Sequence, residues 1–249
     1  YPYQLNEEQF THTNGDLASA CLDAPDNEND CEDFRYFYAN HGPGISGSDL
    51  YSIELSGTAA ELSHILNVDY QTHIGYNPSA NIVYLVNANG NFIEFYDVGA
   101  ESVIGSVTIQ GAIDQLYAVV YNSVEGLLYV GDANSDEIYT IDPGDGSINF
   151  FADAPVQGGD LVFQSGNLYL AKRNTNDLFT VVEDADGIAD GVSDATLIGT
   201  LPDETNGMAA MNNETSFLCA RFGTTTFTSI AKTDGSEILS TLPTWMMCP

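Results

Sequence analysis

Apolar and polar positions along this chain alternate in short runs and rarely recur at the spacing of an amphipathic helix. Runs rich in Val, Ile, Tyr, Phe and Thr are divided by clusters of Gly, Asn, Asp and Ser, the pattern of strands joined by tight turns. The stretch LLYVGDANSDEIYTIDPGDGSINFF, from Leu127 to Phe151, reads as strand, polar turn, strand, Asp-Gly turn, strand. The same frame fits IVYLVNANGNFIEFYDV from Ile82, NLYLAKRNTNDLFTVV from Asn167 and SFLCARFGTTTFTSIAKTDG from Ser216. It fits again from Phe34, with a longer turn. Each frame follows a short strand of small residues: Leu17–Ala20, Ile74–Tyr76, Ala118–Tyr121, Leu161–Phe163 or Met208–Met211. Each precedes a further apolar strand ending near Leu66, Ile109, Phe151, Leu201 or Leu242.

Four strands in a unit of roughly 42 residues is the period of a β-propeller blade. The expected fold is therefore all-β: a β-propeller of about five four-stranded antiparallel blades, with a sixth left open. The blades fall at about 15–66, 72–109, 114–151, 157–201 and 205–242, the fourth lengthened by an insertion around Asp184–Asp194. Residues 1–14 and the tail 243–249 stand outside the repeats. In the first of these, Tyr1, Tyr3 and Leu5 alternate with Pro2, Gln4 and Asn6 as in a half-buried strand, and Phe10 follows. The last unit already has a fourth strand, Ser236–Leu242, so the N-terminal segment is not needed to close the ring. It is expected to add as a strand to another copy of the chain.

The segment LYVGDANSDEIYTID resembles the repeat core of YVTN-type and NHL-like propellers, whose blades read Tyr-Val, a polar turn, then an Ile-Asp strand end. The resemblance implies a propeller and brings no catalytic residues with it. Members of that family usually carry six or seven blades, against the five counted here.

Charge narrows the partners. Thirty-six Asp and Glu stand against five Lys and Arg, a formal net charge of −31, which repels nucleic acid and anionic lipid. No apolar run is long enough for a transmembrane helix, so no membrane insertion is expected. The four cysteines show no zinc-type spacing, and disulfides Cys21–Cys31 and Cys219–Cys248 are the favoured pairing. Asn213-Glu214-Thr215 is a glycosylation sequon. Together these features place the protein outside the cell or at its surface.

Aligning the blades puts His41, Asn87, Asp132, Lys172 and Arg221 at the start of the turn between second and third strands. With Asn89, Asn134 and Arg173 they form a candidate ligand face, and three of the five basic residues fall within it. Such a cationic spot suits an anionic group, although pairing with acids between blades is the commoner meaning. The run EDADGIADGVSD, Glu183 to Asp194, resembles Asp-rich calcium loops without matching an EF-hand frame; Asp184, Asp186 and Asp190 are its candidate ligands. Six acids between Cys21 and Phe34 read as a solvated loop tip. Trp245, Met246 and Met247 form an apolar tail.

No HExxH, GxSxG, P-loop or dinucleotide fingerprint occurs, and His12, His41, His64 and His73 share no spacing. The leading expectation is an extracellular, non-enzymatic structural or adhesive module that self-assembles through Tyr1, Tyr3, Leu5 and Phe10. A calcium-assisted carbohydrate- or peptide-binding propeller is the alternative, with calcium the one cofactor in view. A propeller hydrolase or lyase is the third, and two facing, pKa-shifted carboxylates in the channel would speak for it.

Overall fold

The alternating runs form strands wherever the chain is described in a computed structural model, which covers residues 15–21, 34–40, 47–56, 59–156, 158–211, 215–221 and 227–243. Blade 1 is built from β1 (Gly15–Cys21), β2 (Phe34–Asn40), β3 (Ser48–Ser56) and β4 (Ala59–Val68). Blade 2 holds β5 (Thr72–Asn77), β6 (Ile82–Asn87), β7 (Phe92–Asp97) and β8 (Ser102–Thr108). Blade 3 holds β9 (Leu116–Asn122), β10 (Leu127–Asp132), β11 (Glu137–Ile141) and β12 (Ile148–Asp153). Blade 4 follows with β13 (Asp160–Gln164), β14 (Asn167–Lys172), β15 (Asp177–Val181) and β16 (Ala195–Thr200). Blade 5 ends the series with β17 (Thr205–Ala210), β18 (Ser216–Arg221), β19 (Phe227–Ala231) and β20 (Glu237–Pro243). Within each blade consecutive strands pair antiparallel, and no helix occurs among the described residues.

The ring closes with five blades. The first strand of each lines the axis, and these strands pack side by side as β1, β5, β9, β13, β17 and back to β1. An apolar cluster fills every blade boundary, and the one between blades 5 and 1 (Leu17, Tyr38, Tyr51, Leu218, Phe227) is built like the rest. Each boundary also carries an aromatic pair. Phe37–Tyr76, Tyr84–Tyr121, Tyr129–Phe163 and Tyr169–Phe217 have ring centroids 4.7, 5.3, 5.0 and 5.0 Å apart. Tyr38–Phe227 completes the set edge-on at 5.6 Å. Such pairs contribute about 0.5–1.5 kcal/mol beyond the area they bury.

At the rim, β20 runs parallel to β4, with Leu242 opposite Ala59 and Pro243 opposite Ala60, so blades 5 and 1 form one eight-stranded sheet. The fourth strand of blade 5 therefore comes from its own C-terminal end. Close approach elsewhere demands glycine. A Cβ on Gly159, just before β13, would fall 1.4 Å from the carbonyl oxygen of Ala171 on β14.

Several expectations meet the structure here. The inner strands begin one to three residues earlier than the apolar pattern suggests, and so take in Asp16, His73 and Asp160. Cys219 is a free thiol, 1 % exposed in the boundary between blades 4 and 5, which corrects the Cys219–Cys248 disulfide. Its place on β18 turns it into the apolar interior with Phe217 and Met208. The backbone of Cys21 belongs to β1, while Cys31, Cys248, His41 and Asn213 lie outside the described residues, as do Tyr1, Tyr3, Leu5 and Phe10.

Candidate ligand site at one mouth of the channel

Pairing in each blade sets the start of the inner strand beside the end of the second strand, as with Thr72 opposite Asn87 and Leu116 opposite Asp132. The turns singled out by sequence therefore share one mouth of the channel with the inner-strand starts. Toward the opposite mouth lies a cavity of about 30 Å³ lined by Ala18, Tyr76, Tyr121, Phe163 and Ala210 among others.

The turn residues hold backbone in place. Asn87 Oδ1 accepts the N–H of Asn89 at 2.9 Å, and Asp132 Oδ1 accepts that of Asn134 at 2.9 Å, each closing its own turn. Asp132 Oδ2 also accepts the N–H of Asp114 at 3.0 Å, which fixes the segment leading into β9. The cations meet acids of the segment between blades 4 and 5 and, for Arg221, Glu237 at the start of β20. Arg173 lies 3.4 Å from Glu204, and Arg221 lies 2.9 Å from Asp203 and 3.3 Å from Glu237. Lys172 is half-buried beside them at the end of β14. Two of the three cations of the predicted face are thus paired with acids.

A pocket of about 100 Å³ opens between blades 2 and 3 at this mouth. Its polar wall comes from Gln71, His73 and Asn89 on blade 2 and from Asp114, Gln115 and Tyr117 leading into blade 3. The Leu116 N–H donates to the Ala88 carbonyl at 3.1 Å, binding the two walls together. Of the sequence-predicted face only Asn89 lines this pocket; Asn87 and Asp132 stand behind it and hold its backbone.

Beneath the pocket lies a buried cluster. His73 is 6 % exposed, with its ring 5.9 Å from that of Tyr117 and its Nδ1 3.3 Å from Asp16 Oδ2. Asp16, 0 % exposed on β1, also accepts the N–H of Ile74 at 2.8 Å through Oδ2. Asp160, 0 % exposed on β13, accepts the N–H groups of Leu161 and Met208. The Asp160 carboxyl lies within hydrogen-bonding reach of Asp16, and burial, with the charge of Asp16 next, pushes it well above the usual carboxylate range. Two facing carboxyl groups, of which Asp160 is the shifted one, thus stand in the channel wall. Both are sealed from solvent, so a ligand in the pocket meets His73 and neither acid. Sequence reasoning missed the pair, although Gly15-Asp16-Leu17 and Gly159-Asp160-Leu161 repeat one tripeptide at equivalent positions of blades 1 and 4.

The candidate calcium ligands are rearranged. Asp184, Asp153 and Asp194 each bring one carboxylate oxygen within 4.8 Å of the others, a donor set suited to a hard cation. Asp186 and Asp190 are turned to their own loop, where each accepts the N–H two residues on. Asp153 belongs to blade 3, and its Oδ2 accepts the N–H groups of Asp190 and Gly191 at 3.0 Å, fastening the blade 4 insertion to the neighbouring blade. Two backbone N–H groups, from Asp186 and Gly187, hold the Asp184 carboxyl below its ordinary range.

Fold and pocket together define a five-bladed β-propeller with a polar cleft at one end of its channel. A chain in the crystal structure of a nidogen/laminin complex shares that fold, with a TM-score of 0.58 at 15 % identity over 91 % of this chain and 79 % of that one. A structural-genomics protein of unknown function from Bacteroides thetaiotaomicron is less similar (TM-score 0.49, 16 % identity, 85 % of this chain, 68 % of that one). Kuenenia stuttgartiensis hydrazine synthase follows (TM-score 0.47, 16 % identity, 68 % of this chain, 48 % of that one). No family model matches the sequence, and no curated protein matches it. No helix among the described residues is long and apolar enough to cross a membrane.

Proposed function

We propose that this chain is an extracellular, non-enzymatic binding module that takes a neutral carbohydrate in the pocket between blades 2 and 3. The observation that carries this reading is the convergence of amide, carboxylate and aromatic groups in one small cleft: Asn89, Gln115 and Asp114 with Tyr117 and His73. Amides and carboxylates match the paired hydroxyls of a sugar, and an aromatic ring covers its C–H face. The net charge of −31 disfavours anionic ligands, and the pairing of Arg173 and Arg221 with acids weighs against a cationic site. Acidic composition supports an extracellular setting, and the presence of this fold in a nidogen/laminin complex agrees with a role in interaction.

A monosaccharide of about 12 heavy atoms at about 0.3 kcal/mol per atom binds with about 4 kcal/mol, a Kd of about 1 mM. Calorimetric titration with a panel of methyl glycosides tests the reading. At least one should bind in that range, and Asn89→Ala and Gln115→Ala should each weaken it roughly tenfold. Absence of heat from every glycoside overturns the proposal.

A second reading, self-association through residues 1–13, has one observation in its favour. Outer strand β8 has no strand beyond it among the described residues and exposes Val103 and Ile104, an edge that suits strand addition. Light scattering on a chain lacking residues 1–13 decides it; an unchanged mass ends the idea.

A further inference from the structure

Two acids without exposed surface face each other across the channel, and their contacts require a proton between them. Asp16 and Asp160 each hold a backbone N–H of the next blade's inner strand, Ile74 in one case and Met208 in the other. The remaining oxygen of Asp16, Oδ1, is buried and meets no N–H or O–H donor among the described residues. Yet the Asp160 carboxyl, equally buried, lies within hydrogen-bonding reach of the Asp16 carboxyl. Two ionised carboxylates are acceptors only and cannot bond to each other in this way; a carboxylic acid and a carboxylate can. The proton sits on Asp160, donating to Asp16, whose Oδ2 lies 3.3 Å from Nδ1 of His73.

We propose that Asp16 and Asp160 form a proton-binding site that locks the inner strands of blades 1, 2, 4 and 5, and that loss of the proton loosens the floor of the pocket at His73. The link to ligand binding rests on the carbohydrate reading above; the lock itself does not. With the proton gone, two buried negative charges repel, and Asp16 is displaced from both Ile74 and His73.

The groups around the pair leave this role to it. From β2, Tyr38 is pushed up by burial and, less, by the charges of Tyr51 and Asp16. From β18, Cys219 is pushed up by burial and then by Asp160, partly offset by Thr205 and Arg221. Strand β5 contributes His73 and β9 contributes Tyr117 beyond it, while the residues of β17, Thr205–Ala210, include no titratable side chain. The folded chain holds the Asp160 proton more tightly than the unfolded chain. The lock is therefore complete below the ordinary Asp value of about 3.9 and is lost as pH rises through the raised folded value.

Thermal midpoints of the full chain from about pH 5 to about pH 9 test the lock. The wild-type midpoint should fall as pH rises. Asp160→Asn keeps an N–H donor toward Asp16 at every pH and gives up one backbone acceptor; its midpoint should be lower throughout and its pH slope less than about half that of wild type. An equal slope in Asp160→Asn overturns the lock. Should that variant fail to fold, carboxyl carbon NMR of the wild-type chain labelled at Asp decides the matter. One Asp resonance should remain protonated well above the ordinary Asp value of about 3.9, and titration of every Asp at that ordinary value overturns the proposal. The ring nitrogen signals of His73 should shift at the same midpoint, and their constancy removes the link to the pocket. None of these readouts needs a sugar, so failure of the carbohydrate reading and failure of the lock are separate results.

Discussion

Asp16 accepts the backbone N–H of Ile74 at 2.8 Å across the boundary between blades 1 and 2. Inner strands of a propeller have no strand beyond them, so N–H groups on their axial edge must find other partners or remain unpaired at a cost. A short acid from the preceding inner strand supplies one without filling the channel. Asp160 repeats the contact with Met208 between blades 4 and 5. Stability of the ring is thus concentrated in a few buried polar contacts along with the apolar boundaries.

Removing Asp16 should expose that dependence. Asp16→Ala leaves the Ile74 N–H and His73 without their carboxylate and should lower unfolding free energy by about 1–3 kcal/mol in urea titration. Part of the loss is offset because Asp160 no longer faces a charge. An unchanged midpoint would mean that water replaces the carboxylate freely.

Gly159→Ala should be more damaging than its chemistry suggests. The added methyl meets the Ala171 carbonyl oxygen at 1.4 Å, and backbone cannot yield as a side chain can. We expect a loss above about 2 kcal/mol and a lower thermal midpoint, read by circular dichroism. Gly166→Ala, where nothing lies within 4 Å, is the control: its φ of 75° brings backbone strain without a clash, and the cost should be smaller.

Asp153→Ala should free the insertion of blade 4. Its Oδ2 accepts two N–H groups from residues 190 and 191, and both contacts vanish with the side chain. Limited proteolysis should then cut within 184–194 at least several times faster, with little change in global stability. If Asp153, Asp184 and Asp194 also hold Ca²⁺, millimolar calcium should protect the wild-type insertion and not the variant. Equal cutting of both chains, with and without calcium, would remove the fastening role.

Arg221→Met should matter little. The guanidinium bridges Asp203 and Glu237, but those carboxylates are 46 % and 39 % exposed and solvent screens them. We expect about 0–1 kcal/mol by denaturant titration, falling further in high salt.

Cys219 should resist thiol reagents in the native protein. Burial pushes its pKa up, and the side chain is 1 % exposed between Phe217 and Met208. Labelling by a disulfide reagent should follow the rate of opening of the blade 4–5 boundary and turn fast only in denaturant. Fast native labelling would show that the boundary opens readily.

Alternating runs and turn residues in the sequence were sufficient to read the all-β class, the blade period, the five blades and the turns that share one mouth. That information is local, because each blade is a meander whose strands pair with their chain neighbours and whose buried faces repeat every second residue. The same local view started the inner strands at their first apolar residues and so passed over Asp16, His73 and Asp160, polar groups buried only because the ring closes around them. The Gly-Asp-Leu repeat at residues 15–17 and 159–161 was present as a signal, but its meaning depends on which strands meet at the axis. Asp153 joins Asp184 and Asp194 only because blade 3 packs against the blade 4 insertion. Cys219 is buried because β18 turns it toward blade 4. Pairing along the chain was decided by the order of residues, whereas contacts across the channel and between blades were decided by the curvature that brings five blades into a closed ring.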